Sequence, residues 1–124
     1  MRKQKKKILL VDDNVDILEA VQLLLEDGGY EVRTDNGENV KTLSDKDLPD
    51  IILMDMLLSG KDGRDIIRFF KSQKLTQQIP IILISAHPQA KTLWKDSMAD
   101  GFLAKPFDID ELQALIKNHL TSHS

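Results

Sequence analysis

The chain of 124 residues has no cysteine, which excludes disulfides, thiolate metal sites and cysteine nucleophiles. That absence also suits a cytosolic protein. No apolar run approaches the ~20 residues needed to span a bilayer, so nothing points to a membrane. The opening residues 1–7 read as a basic N-terminal tail, solvated and frayed. The apolar run behind them, Ile8 to Val11, is too short for a signal-peptide core. A global basic field is missing too: the formal net charge is −3, which argues against direct nucleic-acid binding. Repeats, low-complexity stretches, internal linkers, a G-x-G-x-x-G turn and a Walker loop are all absent. What is present, 41% hydrophobic and 30% charged residues, suits one globular domain.

Three unbroken apolar runs carry the fold. Ile8–Val11, Ile51–Met54 and Ile81–Ile84 read as strands buried on both faces, the mark of a parallel sheet. Tyr30, Val32 and Thr34 alternate with charged residues, which predicts a half-exposed edge strand. Phe102-Leu103-Ala104 reads as a short fifth strand. Helices are predicted between them. Asn14 caps the first, with Leu18, Val21, Leu24 and Leu25 inward. A second covers residues 38 to 46, with Val40 and Leu43 inward. Asp62 caps the third, which buries Ile66, Ile67, Phe69 and Phe70. A fourth spans residues 89 to 99, with Leu93, Trp94 and Met98 partly inward and Gly101 as its stop. Asp108 and Glu111 form a capping box for the last, whose stripe is Ile109, Leu112, Leu115, Ile116 and Leu120.

A parallel sheet places all carboxyl ends of its strands on one edge, where ligands bind in open α/β folds. Reading those ends in turn gives Asp12 and Asp13, then Asp55, then Ser85, then Lys105. Three carboxylates that close cannot all stay ionised without compensation. A hard divalent cation such as Mg²⁺, which takes oxygen ligands, together with Lys105, brings the formal sum to zero. A carboxylate is also a nucleophile toward phosphorus. The residues therefore suggest Asp55 as acceptor of a phosphoryl group, with Asp12 and Asp13 on Mg²⁺. Lys105 would neutralise one phosphoryl oxygen, and the Ser85 hydroxyl would donate to another.

These residues resemble the receiver domain of bacterial two-component response regulators. The matching marks are Val11-Asp12-Asp13-Asn14, Met54-Asp55 with Gly63 eight residues on, Ser85-Ala86, and Lys105-Pro106-Phe107. The resemblance implies a flavodoxin-like α/β fold over residues 8–121, with a five-stranded parallel sheet in order 2-1-3-4-5 and five helices on both faces. It implies a cis bond before Pro106 and a metal ligand from the Leu57 backbone carbonyl. It implies a cytoplasmic protein phosphorylated by a histidine kinase or phosphotransfer protein, catalysing its own Mg²⁺-dependent phosphorylation and slow dephosphorylation. It also implies a switch: Ser85 moves toward the phosphoryl group and Phe102 swings inward behind it. The surface of the fourth helix, fifth strand and fifth helix would then be read by a downstream protein target. Many family members carry Met-Pro where this chain has Leu58-Ser59, which loosens that loop. Apolar Leu57 and His87 stand at positions that tune water access, which predicts a long-lived phosphoryl state.

Other readings fit these residues less well. Taken singly, Asp13 is a helix cap, Ser85 a small residue at a crowded strand end, Lys105 a surface lysine and Phe102 core; together at four strand ends they are an improbable coincidence. His87 reads as solvent-exposed, and Trp94 as a packing residue. A haloacid-dehalogenase-type phosphatase needs a second Asp two residues after the first, where Leu57 stands. A phosphorylation-independent binding domain would not need all five site groups. The Met1 start and the Thr121–Ser124 end favour a stand-alone receiver over a fragment of a hybrid kinase or multidomain regulator.

Overall fold

The computed structural model describes residues 5–38, 46, 48–58 and 60–122. Its core is one sheet of five strands: β1 (Lys7–Val11), β2 (Glu31–Asp35), β3 (Ile51–Asp55), β4 (Ile81–Ser85) and β5 (Gly101–Ala104). All neighbours pair in parallel, in the order β2-β1-β3-β4-β5. Four helices are described: α1 (Val15–Asp27), α2 (Gly63–Ser72), α3 (Ala90–Leu93) and α4 (Ile109–Ser122). Among the described residues no helix is long and apolar enough to cross a membrane.

The unbroken apolar runs serve two cores at once, because successive side chains of a strand point to opposite faces. Leu9, Val11, Ile52, Met54, Ile81 and Leu83 face one side, where Ile66, Ile67 and Phe70 of α2 cover them. Ile8, Leu10, Ile51, Leu53, Ile82 and Ile84 face the other, against Val21 and Leu25 of α1 and Leu112 and Ile116 of α4. Every residue of β3 and β4 is buried, including the polar residue that ends each. That double burial is what a sheet wedged between helix layers requires.

Helix starts follow their caps. Asn14 accepts from Ile17 N–H at 3.2 Å, and Asp62 accepts from Arg64 N–H at 2.9 Å. Glu111 reaches back to accept the Asp108 N–H at 3.3 Å. The segment expected as one helix over residues 89 to 99 has no such cap. It forms a single α turn, α3, followed by a 3₁₀ turn over Trp94–Ser97. The hydroxyls of Thr92 and Ser97 donate to the carbonyls of Gln89 and Trp94, a local bonding pattern that competes with helix. Met98 ends the segment with φ 69° and lies exposed, so Gly101 is free to begin β5 instead of stopping a helix.

Further differences are local. Lys7 opens β1 instead of closing the tail. Leu24, expected inward, is 47% exposed. The residues after Asp55 are no plain loop: Leu57–Leu58 pairs antiparallel with Lys61–Asp62. The helix expected over residues 38 to 46 falls almost wholly outside the described residues.

Gly63 sets how closely α2 approaches β3. A Cβ there would stand 2.3 Å from the Asp55 carbonyl oxygen and 3.2 Å from the Met54 side chain. The Gly63 N–H donates to the Met56 carbonyl at 2.7 Å, so the backbone is held on the spot. Backbone cannot yield as a side-chain tip can. Gly63→Ala is expected to destabilise the fold by about 1–3 kcal/mol, read by urea unfolding. An unchanged midpoint would contradict this account of the contact.

Candidate functional site

The in-register sheet brings the strand ends together. Asp55, the last residue of β3, pairs with Ile84, and Ser85, the last of β4, pairs with Ala104. Asp12 and Asp13 follow directly on β1, and Lys105 on β5. Carboxylate oxygens of Asp12, Asp13 and Asp55 all lie within 4.8 Å of one another. Lys105 Nζ stands 3.3 Å from Asp12 Oδ2 and 3.7 Å from Asp55 Oδ1. The Lys105 N–H donates to the Ser85 carbonyl at 2.9 Å, which ties this lysine to the end of β4. The Lys105–Pro106 bond is cis, as the resemblance implied.

Asp12 and Asp55 are held by their backbone surroundings. Asp12 is 4% exposed; its N–H donates to the Asp35 carbonyl and its Oδ1 accepts the Asn14 N–H at 2.9 Å. Asp55 is 9% exposed, and the Leu57 N–H donates to its carboxylate. Leu57 therefore enters the site through its backbone, while its side chain is 55% exposed.

The electrostatics are unfavourable as they stand. Two unit charges 4.8 Å apart repel by about 3.5 kcal/mol at an effective dielectric of about 20. Burial, and then the Asp12 charge, push the Asp55 carboxyl up to about 6, against the pull of Lys105 and the Leu57 N–H. Three carboxylates and one ammonium leave a formal charge of −2. Oxygen-only donors so close together fit a hard divalent cation such as Mg²⁺, with Asp12, Asp13 and Asp55 as the side chains that would hold it.

The hydroxyl and the aromatic named from the sequence stand at the ends of β4 and along β5. Ser85 is 2% exposed, and its Oγ accepts the His87 N–H at 2.9 Å. His87 is exposed, and its Nδ1 accepts the Gln89 N–H at 3.1 Å. Phe102 is half-buried on β5, its ring stacked on Trp94 with centroids 6.1 Å apart and planes 12° apart. Sequence reasoning missed this stack, because Trp94 and Phe102 belong to different elements with no shared periodicity. It also gave no reason for Gly63, whose spacing from Asp55 was the only signal of the contact beneath the site.

The model of the response regulator receiver domain matches residues 8–117. The transcriptional regulatory protein PhoP for alkaline phosphatase synthesis of Bacillus subtilis is 35% identical over 115 residues, covering 90% of this chain and 47% of that protein. The phosphate regulon transcriptional regulatory protein PhoB of Pseudomonas aeruginosa is 36% identical, covering 90% and 50%. The chain thus spans about half the length of the curated relatives it matches. Among solved structures, the receiver domain of the sensor histidine kinase PA1611 of Pseudomonas aeruginosa superposes with a TM-score of 0.84 at 28% identity, covering 95% of this chain and 99% of that one. That structure has a magnesium ion coordinated in its active-site cleft.

The raised Asp55 carboxyl has a measurable consequence. A folded-state value of about 6 against an ordinary 3.8 means that the ionised form is disfavoured by folding. Its stabilising share is present below pH 3.8 and lost as pH rises through 6. Without divalent cations, Asp55→Asn is therefore expected to be more stable than the native chain at pH 7. The gap should close as pH falls below 4, read by thermal melts across that range. A gap independent of pH would contradict the assignment.

Proposed function

The chain belongs to the response regulator receiver family of two-component systems, and from that premise we propose that it accepts a phosphoryl group on Asp55 in a Mg²⁺-dependent reaction. The observation that carries this reading is the placement of Lys105 Nζ within 4 Å of both Asp12 and Asp55, among three carboxylates that need a further divalent charge.

In this reading Asp12, Asp13, Asp55 and the Leu57 backbone carbonyl hold Mg²⁺. The metal, when bound, supplies charge to offset the carboxylates and the phosphoryl oxygens. The chain's own groups do the rest. An Asp55 carboxylate oxygen forms a bond to phosphorus as the bond to the donor's leaving group breaks, and the leaving group departs with the electron pair. Lys105 ammonium faces one phosphoryl oxygen. The Ser85 hydroxyl donates to another. No proton need leave Asp55, which attacks in its ionised form.

The donor is a histidine kinase or phosphotransfer protein, acting in the cytoplasm. An apolar groove of about 440 Å³, lined by Ile17, Ala20 and Leu24 of α1 and by Pro106, Phe107 and Ile109, runs up to Lys105 itself. Its contact with a site residue makes it the surface on which a protein donor would seat. The readout face comprises the segment 90–97, β5 and α4, where Phe102 moves with Ser85 and a downstream protein target responds. A second reading, a receiver within a larger regulator or hybrid kinase, is favoured by the twofold greater length of the curated relatives.

Incubation with Mg²⁺ and acetyl phosphate, followed by intact mass, tests the proposal. The native chain is expected to gain one phosphoryl adduct, lost with chelator, and Asp55→Asn none. Lys105→Met should label about 10²–10³-fold more slowly, the usual cost of removing one preorganised charge contact. No adduct on the native chain, or an equal adduct on Asp55→Asn, would refute it. With the exposed apolar Leu57 two residues from the acceptor, the adduct is expected to decay slowly. First-order loss as rapid as in a fast chemotaxis-type regulator would contradict that last point.

A further inference from the structure

The short hairpin after Asp55 carries backbone on which the site depends. Leu57–Leu58 pairs antiparallel with Lys61–Asp62, and Gly60 turns between them with φ 69°. The Leu57 N–H donates to the Asp55 carboxylate, and in the reading above the Leu57 carbonyl is a metal ligand. A ladder this short does not stand alone. On the side of α2 it is fixed by Asp62, which caps that helix and binds Arg64, and by the Gly63 N–H on the Met56 carbonyl. On the other side it is fixed by the end of β2. The Leu58 side chain is buried against Gly37, where a Cβ would stand 3.0 Å from Leu58 Cδ1. Lys61 Nζ donates to the Gly37 carbonyl at 3.2 Å. Gly37 has φ 100°, and its N–H donates to Asp35 Oδ1 at 2.6 Å. The Asp35 carbonyl in turn accepts the Asp12 N–H at 3.0 Å. A second path of bonds therefore joins Asp12 to Asp55, through Asp35, Gly37, Lys61 and the hairpin, besides the pairing of β1 with β3.

We propose that Lys61 is a positioning residue for the cation site: its ammonium clamps the hairpin to the end of β2 and so holds the Leu57 backbone at Asp55. The inference rests on the assignment of the acidic cluster as a Mg²⁺ site. Mg²⁺ demands near-ideal placement of its ligands, so a carbonyl on a loose hairpin would be ordered at the expense of affinity. The Lys61 bond and the Leu58 packing make that ordering part of folding. Lys61 is itself a cation on the loop that serves the metal. By charge alone its removal strengthens Mg²⁺ binding; by loss of the clamp it weakens it. The two effects have opposite signs, which makes the side chain diagnostic.

Lys61→Met keeps the stem and removes the donor, while Lys61→Arg keeps a donor and the charge. Lys61 is exposed, so both variants are expected to fold. Calorimetric titration with Mg²⁺ is run on the native chain and on both. Lys61→Met is expected to bind about two- to tenfold more weakly, the scale of one hydrogen bond, and Lys61→Arg as the native chain does. In the metal-free proteins the Leu57 amide should exchange faster in Lys61→Met by about the same factor. Amides of α4 should keep their native rates, which a general loss of stability would not allow. Saturable binding by the native chain with equal or tighter binding by Lys61→Met overturns the inference alone. So does native Leu57 exchange in Lys61→Met, or an equal loss of affinity in Lys61→Arg. No saturable Mg²⁺ binding by the native chain overturns the metal assignment and this inference with it.

Discussion

Three carboxylates crowd one edge of a parallel sheet, and a single ammonium cannot neutralise them. That mismatch governs the rest of the structure. Asp12, Asp13 and Asp55 are brought within 4.8 Å by strand register, since β1 and β3 pair residue for residue up to Val11 and Met54. Their closeness is imposed by the fold, and Lys105 reduces the repulsion without removing it. Burial then adds to the cost, as the shift of the Asp55 carboxyl to about 6 records. A site that folding makes this unfavourable is poised for a divalent cation and for the chemistry that a cation permits.

The surrounding fold is built to hold that edge rigid. β3 is buried over its whole length, so Asp55 sits at the end of a rail with cores on both sides. Gly63 lets α2 lie directly against the Asp55 carbonyl. Opposite this rigidity stands the stretch from Ala86 to Met98, one α turn without a side-chain cap followed by a 3₁₀ turn, which Ala90 and Ser97 anchor in the interior. The Lys71 ammonium, by contrast, pins the far pole, bonding Asp100 at 2.8 Å and the Ile79 carbonyl at 2.9 Å.

Much of this was legible in the sequence. Unbroken apolar runs named β1, β3 and β4 and their parallel pairing, because only strands covered on both faces carry no polar alternation. The acids, Ser85 and Lys105 at the ends of those runs named the site, because strand ends share one edge. Caps such as Asn14 and Asp62 announced their helices through local bonds. What failed was tertiary. Apolar spacing suggested one helix over residues 89 to 99, but spacing does not reveal that hydroxyls of Thr92 and Ser97 bond to nearby carbonyls. Leu24 fits the inward stripe of α1 yet opens onto a surface groove, since the width of the buried stripe depends on the neighbouring elements. Contacts between distant elements, such as Trp94 on Phe102 or Gly63 under Asp55, leave no periodic trace.

The central claim is that the carboxylate cluster is a divalent-cation site whose charge balance sets its chemistry. Calorimetric titration with Mg²⁺ tests it most directly, on the native chain and on Asp13→Asn. The account predicts saturable binding of one ion to the native chain, with proton release near pH 6 that fades toward pH 8 as Asp55 is already ionised. In Asp13→Asn, losing one unit charge beside the ion should weaken binding roughly tenfold or more. No saturable binding, or equal affinity in the two proteins, would contradict it.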